Sequence, residues 1–302
     1  MGCKAISFPL QSLYGYNILI LKMTEKLNLG SFVLYIIDSG NIRLDGGAMF
    51  GTVPRVLWEK TNPPDENNRI LIGLNLLLVK TGKKNILIDT GTGDKGNDKF
   101  KDIYAIEHKP IDKALAASGI SHLDIDIVIN THLHFDHAGG NTIMGKDGRY
   151  IPAFPNARYI IQKDEWSDAI NTNEKTKASY RKDDFLPLQE AGVAELIEGD
   201  KEIEKGISVL KTPGHNRNHQ CILIESENKK AVYLGDLVPT ASHIPLPYIM
   251  GYDLFPLETL ENKKRILNKA ADEGWLLIFE HDPKTKTGFL KREGGKLVLK
   301  TL

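Results

Sequence analysis

The sequence predicts an α/β fold, on two observations. Apolar runs of strand length alternate with helical stretches, and four of those runs each deliver a ligand-type residue just past their carboxyl end. Residues 125–130 (IDIVIN) lead into Thr131-His132-Leu133-His134-Phe135-Asp136-His137, and residues 207–211 (ISVLK) into Thr212-Pro213-Gly214-His215. Residues 231–234 (AVYL) lead into Gly235-Asp236, and residues 275–279 (WLLIF) into Glu280-His281. Crevices outside the carboxyl ends of strands are where layered α/β folds bind ligands.

In chain order, residues 1–26 read differently from the rest. Their apolar stretches are interrupted by Pro9, Gly15 and Asn17, only Lys4 precedes them, and Ile6 breaks the myristoylation pattern. They are read as an N-terminal extension or packing arm rather than a targeting signal, and Met23 is an alternative start. A β-rich run at 31–38 (SFVLYIID) opens the core. The stretch 40–68, with Pro54, Pro63 and Pro64, is expected to be a long functional loop, a rim over the site or a dimer contact, or equally a subunit or core-packing loop. Residues 70–80 and 84–88 read as a hairpin around Thr81-Gly82. Residues 111–118 form a helix stopped by Gly119, and 157–162 a strand. A charge-rich helical region spans about 164–189, its acids and lysines expected on a solvated surface. Strands follow at 193–197, 207–210, 220–225 and 231–234, then a helix at 256–272 closed by Gly274, a buried strand at 275–279 and a short one at 296–300.

Lys+Arg and Asp+Glu both number 39, so the chain has no net charge and no broad basic face for nucleic acid is expected. No apolar run is long enough to span a membrane. Two cysteines, Cys3 and Cys221, make no disulfide framework; a reducing, cytoplasmic setting is expected.

Three imidazoles and a carboxylate within six residues are costly to fold around unless something binds them. His132 and His134 are two apart, so an extended segment projects both rings to one side. Asp136 and His137 fall where Ala138-Gly139-Gly140 lets the chain turn toward a second point. Imidazole nitrogen and carboxylate oxygen suit zinc and similar divalent cations, and the spacing suggests two ions side by side.

This H-x-H-x-D-H string resembles the signature of the metallo-β-lactamase superfamily, with His215, Asp236 and His281 matching its later ligands in order, over nearly the whole chain from about Leu27. Asp45-Gly46-Gly47-Ala48-Met49-Phe50-Gly51 with Val53-Pro54, Asn68-Arg69-Ile70, Leu87-Ile88-Asp89-Thr90-Gly91 and residues 236–243 (DLVPTASH) resemble its quorum-quenching N-acyl-homoserine lactonase-like branch. The resemblance implies a four-layer αβ/βα sandwich over residues 27–302, with a dinuclear metal site at one edge between the two sheets. It implies one metal on His132, His134 and His215, the other on Asp136, His137 and His281, and Asp236 bridging. Zinc is the default, with manganese, iron, cobalt or nickel as alternatives.

The expected activity is hydrolytic opening of a lactone or ester by a metal-bridging hydroxide, with the leaving alkoxide protonated through water or Asp136. Asp89 is expected to hold a ligand histidine by its other ring nitrogen, or else is a turn residue. His219, in a segment where Asn218 replaces the family's glycine, supports a ligand or is structural. His243 contacts substrate or a ligand, or simply shapes its Pro-flanked loop. Pro239 stands where the lactonases carry a substrate-assisting tyrosine, and Tyr248 and Tyr252 are candidates to replace it. Met49, Phe50, Trp58, Ile244, Leu246 and Ile249 are candidates for an acyl-chain groove. A phosphotriesterase or arylesterase, a mononuclear-iron dioxygenase and a thioesterase are the competing readings. Beyond a small-molecule substrate, a homodimer through the 40–68 loop and the amino-terminal arm is the partner expected.

Overall fold

The computed structural model describes residues 24–301. The reading of residues 1–22 as an extension lies outside them.

Two mixed sheets face one another. The first contains β1 (Thr24–Leu29), β2 (Phe32–Asp45), β3 (Arg69–Lys80), β4 (Asn85–Ile88), β5 (Glu107–His108), β6 (Ile127–Ile129), β9 (Arg158–Gln162) and β10 (Ala194–Ile197), while β7 (Thr142–Met144) and β8 (Tyr150–Pro152) form a separate hairpin. Its antiparallel half runs β1-β2-β3-β4, and β4, β6, β9 and β10 are parallel. The second sheet runs in chain order through β11 (Lys201–Glu204), β12 (Ile207–Lys211), β13 (Gln220–Ser226), β14 (Lys229–Tyr233), β15 (Leu276–Ile278), β16 (Thr287–Glu293) and β17 (Lys296–Lys300). Only β14 and β15 pair in parallel there, because the helix Pro256–Glu273 crosses over between them. Gly274 ends that helix in the left-handed conformation (φ 66°), its N–H bonded to Ala270 O.

Period-two alternation sorts the side chains into layers. Ile36, Val79, Ile88, Ile129 and Ile160 of the first sheet meet Val209, Ile222, Ile224, Tyr233 and Ile278 of the second in one dry core. The opposite face of the first sheet packs on Leu115, Trp166, Phe185 and Leu188, and that of the second on Ile266, Leu267 and Ala270. Helix, sheet, sheet and helix give the four-layer αβ/βα sandwich. Each fully buried aliphatic side chain contributes roughly 1.5–3 kcal/mol, so both sheet faces are held independently.

Several expectations need correction. The 40–68 stretch is not structureless: β2 continues past a bulge between Asp38 and Asn41 as far as Asp45, and short helices follow at Gly46–Phe50 and Arg55–Trp58. Asp45 caps the first of these by accepting from Ala48 N, and Met49, Phe50 and Trp58 are core residues packed on Ile42, Ile70 and Ile72. Large apolar side chains pull such a segment into the core whatever its proline content. Within 164–189, Glu165 and Asp184 are buried rather than solvated; Glu165 accepts from Leu133 N (2.9 Å) and Tyr180 OH (3.0 Å), and Asp184 pairs with Lys95 (2.9 Å) and Arg181 (2.8 Å). The polar strands β11 and β16 went unpredicted.

Candidate metal centre

At one edge the two sheets are joined by backbone hydrogen bonds. Gly73 N and Asn75 N of β3 donate to His281 O (3.0 Å) and Glu280 O (2.9 Å), and Gln220 N donates to Thr131 O (3.0 Å). All four ligand-bearing loops empty into this edge. After β6 the chain bends at Thr131, passes His132 and His134 without regular structure and enters the one-turn helix Phe135–Ala138, which carries Asp136 and His137 toward the same space. Gly214 and Gly235 immediately precede His215 and Asp236. Both adopt positive φ (149° and 49°), and a Cβ would meet Thr259 at 2.3 Å in the first case and His219 Nε2 at 2.7 Å in the second.

The seven side chains converge. His132, His134, His215 and Asp236 form one group with ligand atoms within 4.8 Å of one another, and Asp136, His137 and His281 form another. Asp236 reaches both, with Oδ2 3.2 Å from His215 Nε2 and Oδ1 3.1 Å from His281 Nε2. His134 Nδ1 lies 3.0 Å from His215 Nε2, and His137 Nε2 lies 3.2 Å from His281 Nε2. Except for His134, which is half-buried, all are buried.

Hydrogen bonding from behind aims the rings. His281 Nδ1 must donate to Gly73 O (2.9 Å), and His215 Nδ1 lies 3.0 Å from Asp253 Oδ1. Asp89 accepts from Thr131 N and Thr131 Oγ1, each at 2.7 Å, so Thr131 Oγ1 is left to accept from His132 Nδ1 at 3.1 Å. Asp89 Oδ2 also lies 3.1 Å from His137 Nδ1. Its backbone is left-handed at φ 54°, a strained state that typically costs about 1–3 kcal/mol and persists only where the surroundings over-determine it. In a neutral imidazole so engaged, the proton sits on the rear nitrogen and the inward-facing one offers its lone pair. His132 Nε2 and Asp236 Oδ1 are buried with no hydrogen-bond partner among the described residues.

Electrostatics follow the same division. Burial and the neighbouring imidazoles hold His132 and His134 well below the usual histidine range. Burial opposes charge on His281 too, but Asp236 and Glu280 lift it to about 9. Asp236 is held well below the carboxylate range, against burial, by His215, His137 and His281. Converging lone pairs, flanking carboxylates and orphaned buried atoms make a donor set that fits divalent cations.

The remaining candidates occupy different places. His219 Nε2 accepts from Asp236 N (3.0 Å) while its Nδ1 bonds Thr212 Oγ1 (2.8 Å); it braces the backbone of Asp236. His243 is fully buried between Thr240 Oγ1 (2.8 Å) and Met49 O (2.8 Å), stacked on Phe50, and lines no part of the pocket. Of the groove candidates only Met49 lines the pocket over the centre; Phe50, Trp58 and Ile244 are spent in the core, and Leu246 and Ile249 are not on its wall. Leu44, Tyr104, Met250 and Leu254 take their place, with Lys175, Thr176 and Ser179 opposite. Tyr252 lines the pocket, whereas Tyr248 packs edge-on against Phe50.

Sequence reasoning gave no role to Glu165, Glu280 and Lys263. Lys263 is buried on the long helix, donates to Pro245 O (3.1 Å), Leu246 O (3.4 Å) and Tyr248 O (2.7 Å), and is pushed down to about 7 by burial. An acid interrupting an apolar strand end at Glu280 was the only signal available for these three.

This geometry defines a metal-centred αβ/βα sandwich. The sequence model of the Metallo-beta-lactamase superfamily matches residues 72–281, and the chain belongs to that superfamily. An N-acyl homoserine lactonase of Bacillus thuringiensis is 31% identical over 219 residues, covering 68% of this chain and 79% of the lactonase. Among solved structures, a probable metal-dependent hydrolase from Staphylococcus aureus superposes with a TM-score of 0.83 at 31% identity, over 91% of this chain and 100% of that one. AidC, a dizinc quorum-quenching lactonase in complex with its homoserine product, superposes at 0.76 and 24% identity over 92% and 97% of the two chains.

Proposed function

We propose that the chain is a dinuclear metal hydrolase that opens lactone or ester bonds, with N-acyl-homoserine lactone-like compounds as its substrate class. The observation that carries this reading is the Asp236 carboxylate, one oxygen 3.2 Å from His215 and the other 3.1 Å from His281, reaching from one ligand group into the other. His132, His134 and His215 would hold one cation, Asp136, His137 and His281 the other, and Asp236 both. Two zinc ions so held would supply hydroxide near neutral pH and an electrophile for a carbonyl oxygen.

The chain's own residues do the rest. The apolar faces of Leu44, Met49, Met250 and Leu254 would bind an acyl chain and exclude water from it. Tyr252 and Tyr104 line the same pocket, and the position after the bridging aspartate that carries a tyrosine in the lactonases is Pro239, whose carbonyl accepts from His281 N (2.9 Å). Tyr252 is therefore assigned the substrate-facing phenol, supplied from further along the same connection between β14 and the helix Pro256–Glu273. Asp136 lies at the pocket floor, where it can return a proton to the leaving alkoxide. The Bacillus lactonase likeness supports the lactone class.

A phosphotriesterase or arylesterase is the second reading, favoured by Pro239. Zinc-loaded protein assayed against acyl-homoserine lactones, simple lactones, aryl esters and paraoxon decides between them. Lactone turnover abolished by chelation is expected; flat lactone rates beside clear paraoxon turnover would reject the first reading.

A further inference from the structure

We propose that Glu280 is a positioning residue for the cation on Asp136, His137 and His281, an inference resting on the dinuclear reading above. Glu280 is fully buried, with Oε2 2.9 Å from His137 Nδ1. Asp89 Oδ2 lies 3.1 Å from the same nitrogen, and only the Asp89 contact has hydrogen-bond geometry. Asp89 is already supported by two donors from Thr131. Both oxygens of Glu280 lack any hydrogen-bond partner among the described residues, and its one ion-pair neighbour there is His137.

A buried carboxylate left in this state is unfavourable unless a positive charge offsets it. No lysine or arginine among the described residues approaches it within ion-pair distance. Asp89, His137 and Glu280 could be taken for a third metal site, since their ligand atoms lie within 4.8 Å of one another. Contacts of 2.9 and 3.1 Å to one ring nitrogen, with the N–H directed at Asp89, fit instead one hydrogen-bonded Asp–His pair with a second carboxylate held against the same imidazole. In the metal-free protein only a proton on His137 can offset Glu280; a cation on the far, Nε2 side of the same imidazole would take over that role when bound. In return, the second carboxylate fixes the ring and makes it a better donor, as carboxylates behind metal-bound histidines do.

The structure thus assigns Glu280 a role with an unusual signature, because it disfavours the metal-free fold and favours the loaded one. The test is E280Q, which keeps the shape, with E280D, which keeps the charge. Zinc affinity is read by chelator competition, stoichiometry by elemental analysis, and melting temperature with and without metal. E280Q is expected to weaken the second zinc by about 10–100-fold, while its metal-free form melts no lower than wild type. E280D should recover part of the affinity. Wild-type affinity for both ions in E280Q, or a metal-free melting temperature that falls along with affinity, overturns the assignment alone. A wild-type chain that holds only one ion overturns the dinuclear reading as well.

Discussion

The inner wall of the pocket is made of residues that follow strand ends, and the outer wall of side chains from short helices, the end of β2 and loops. On the inner wall His132, His137, His215 and His281 each have their second ring nitrogen engaged from behind, by Thr131, Asp89, Asp253 and Gly73. On the outer wall Tyr104, Lys175 and Tyr252 have no side-chain hydrogen bond or ion pair among the described residues, and Lys175 is exposed. The contrast shows where precision is needed. Ligands must be held to a fraction of an ångström, whereas a wall that receives an acyl chain needs shape and apolar area.

Three substitutions sharpen this contrast. Asp236→Ala removes the group common to both ligand sets; kcat/KM should fall by roughly 10³-fold, with loss of bound metal read by elemental analysis. Retention of both ions and of activity would break the distinction between the walls. Met49→Ala, on the outer wall, should lower kcat/KM for long acyl chains by about 10-fold through KM, with kcat and metal content little changed, as a series of chain lengths would show.

The smallest effect concerns Lys263, which ties the outer loop at 245–248 to the long helix. Burial lowers its folded-state value from the ordinary 10.5 to about 7. Between those values the unfolded chain binds more protons, so the lysine's penalty on folding is complete below pH 7 and fades as pH rises. Its contribution to stability should therefore climb by at most about 1.4 kcal/mol per pH unit across that window. Denaturant unfolding at pH 7.5 and 9.5 should show the slope in wild type and lose it in Lys263→Met; equal slopes would exclude this origin.

Legibility followed the same division. The ligand residues were readable because metal chemistry restricts residue type and the strand ends restrict place. The αβ/βα layering was readable only through resemblance, since apolar runs such as 207–211 and 220–225 show strands without showing their partners. For Phe50 and Trp58 the sequence left groove and core packing equally open, because an apolar side chain in a loop looks the same whether it lines a pocket or fills a core. His243 was ambiguous for a similar reason: its partners, Met49 O and Phe50, lie 194 and 193 positions away in sequence (243 − 49 and 243 − 50).

By itself the sequence determined the chemistry of the centre, because His132, His134, Asp136, His137, His215, Asp236 and His281 carry their donor atoms wherever the chain puts them. Tertiary structure alone decided that Asp236 spans both groups, that Glu280 stands behind His137, and which side chains line the pocket. These are properties of distances between separate loops, set by how two sheets pack rather than by any local pattern of residues.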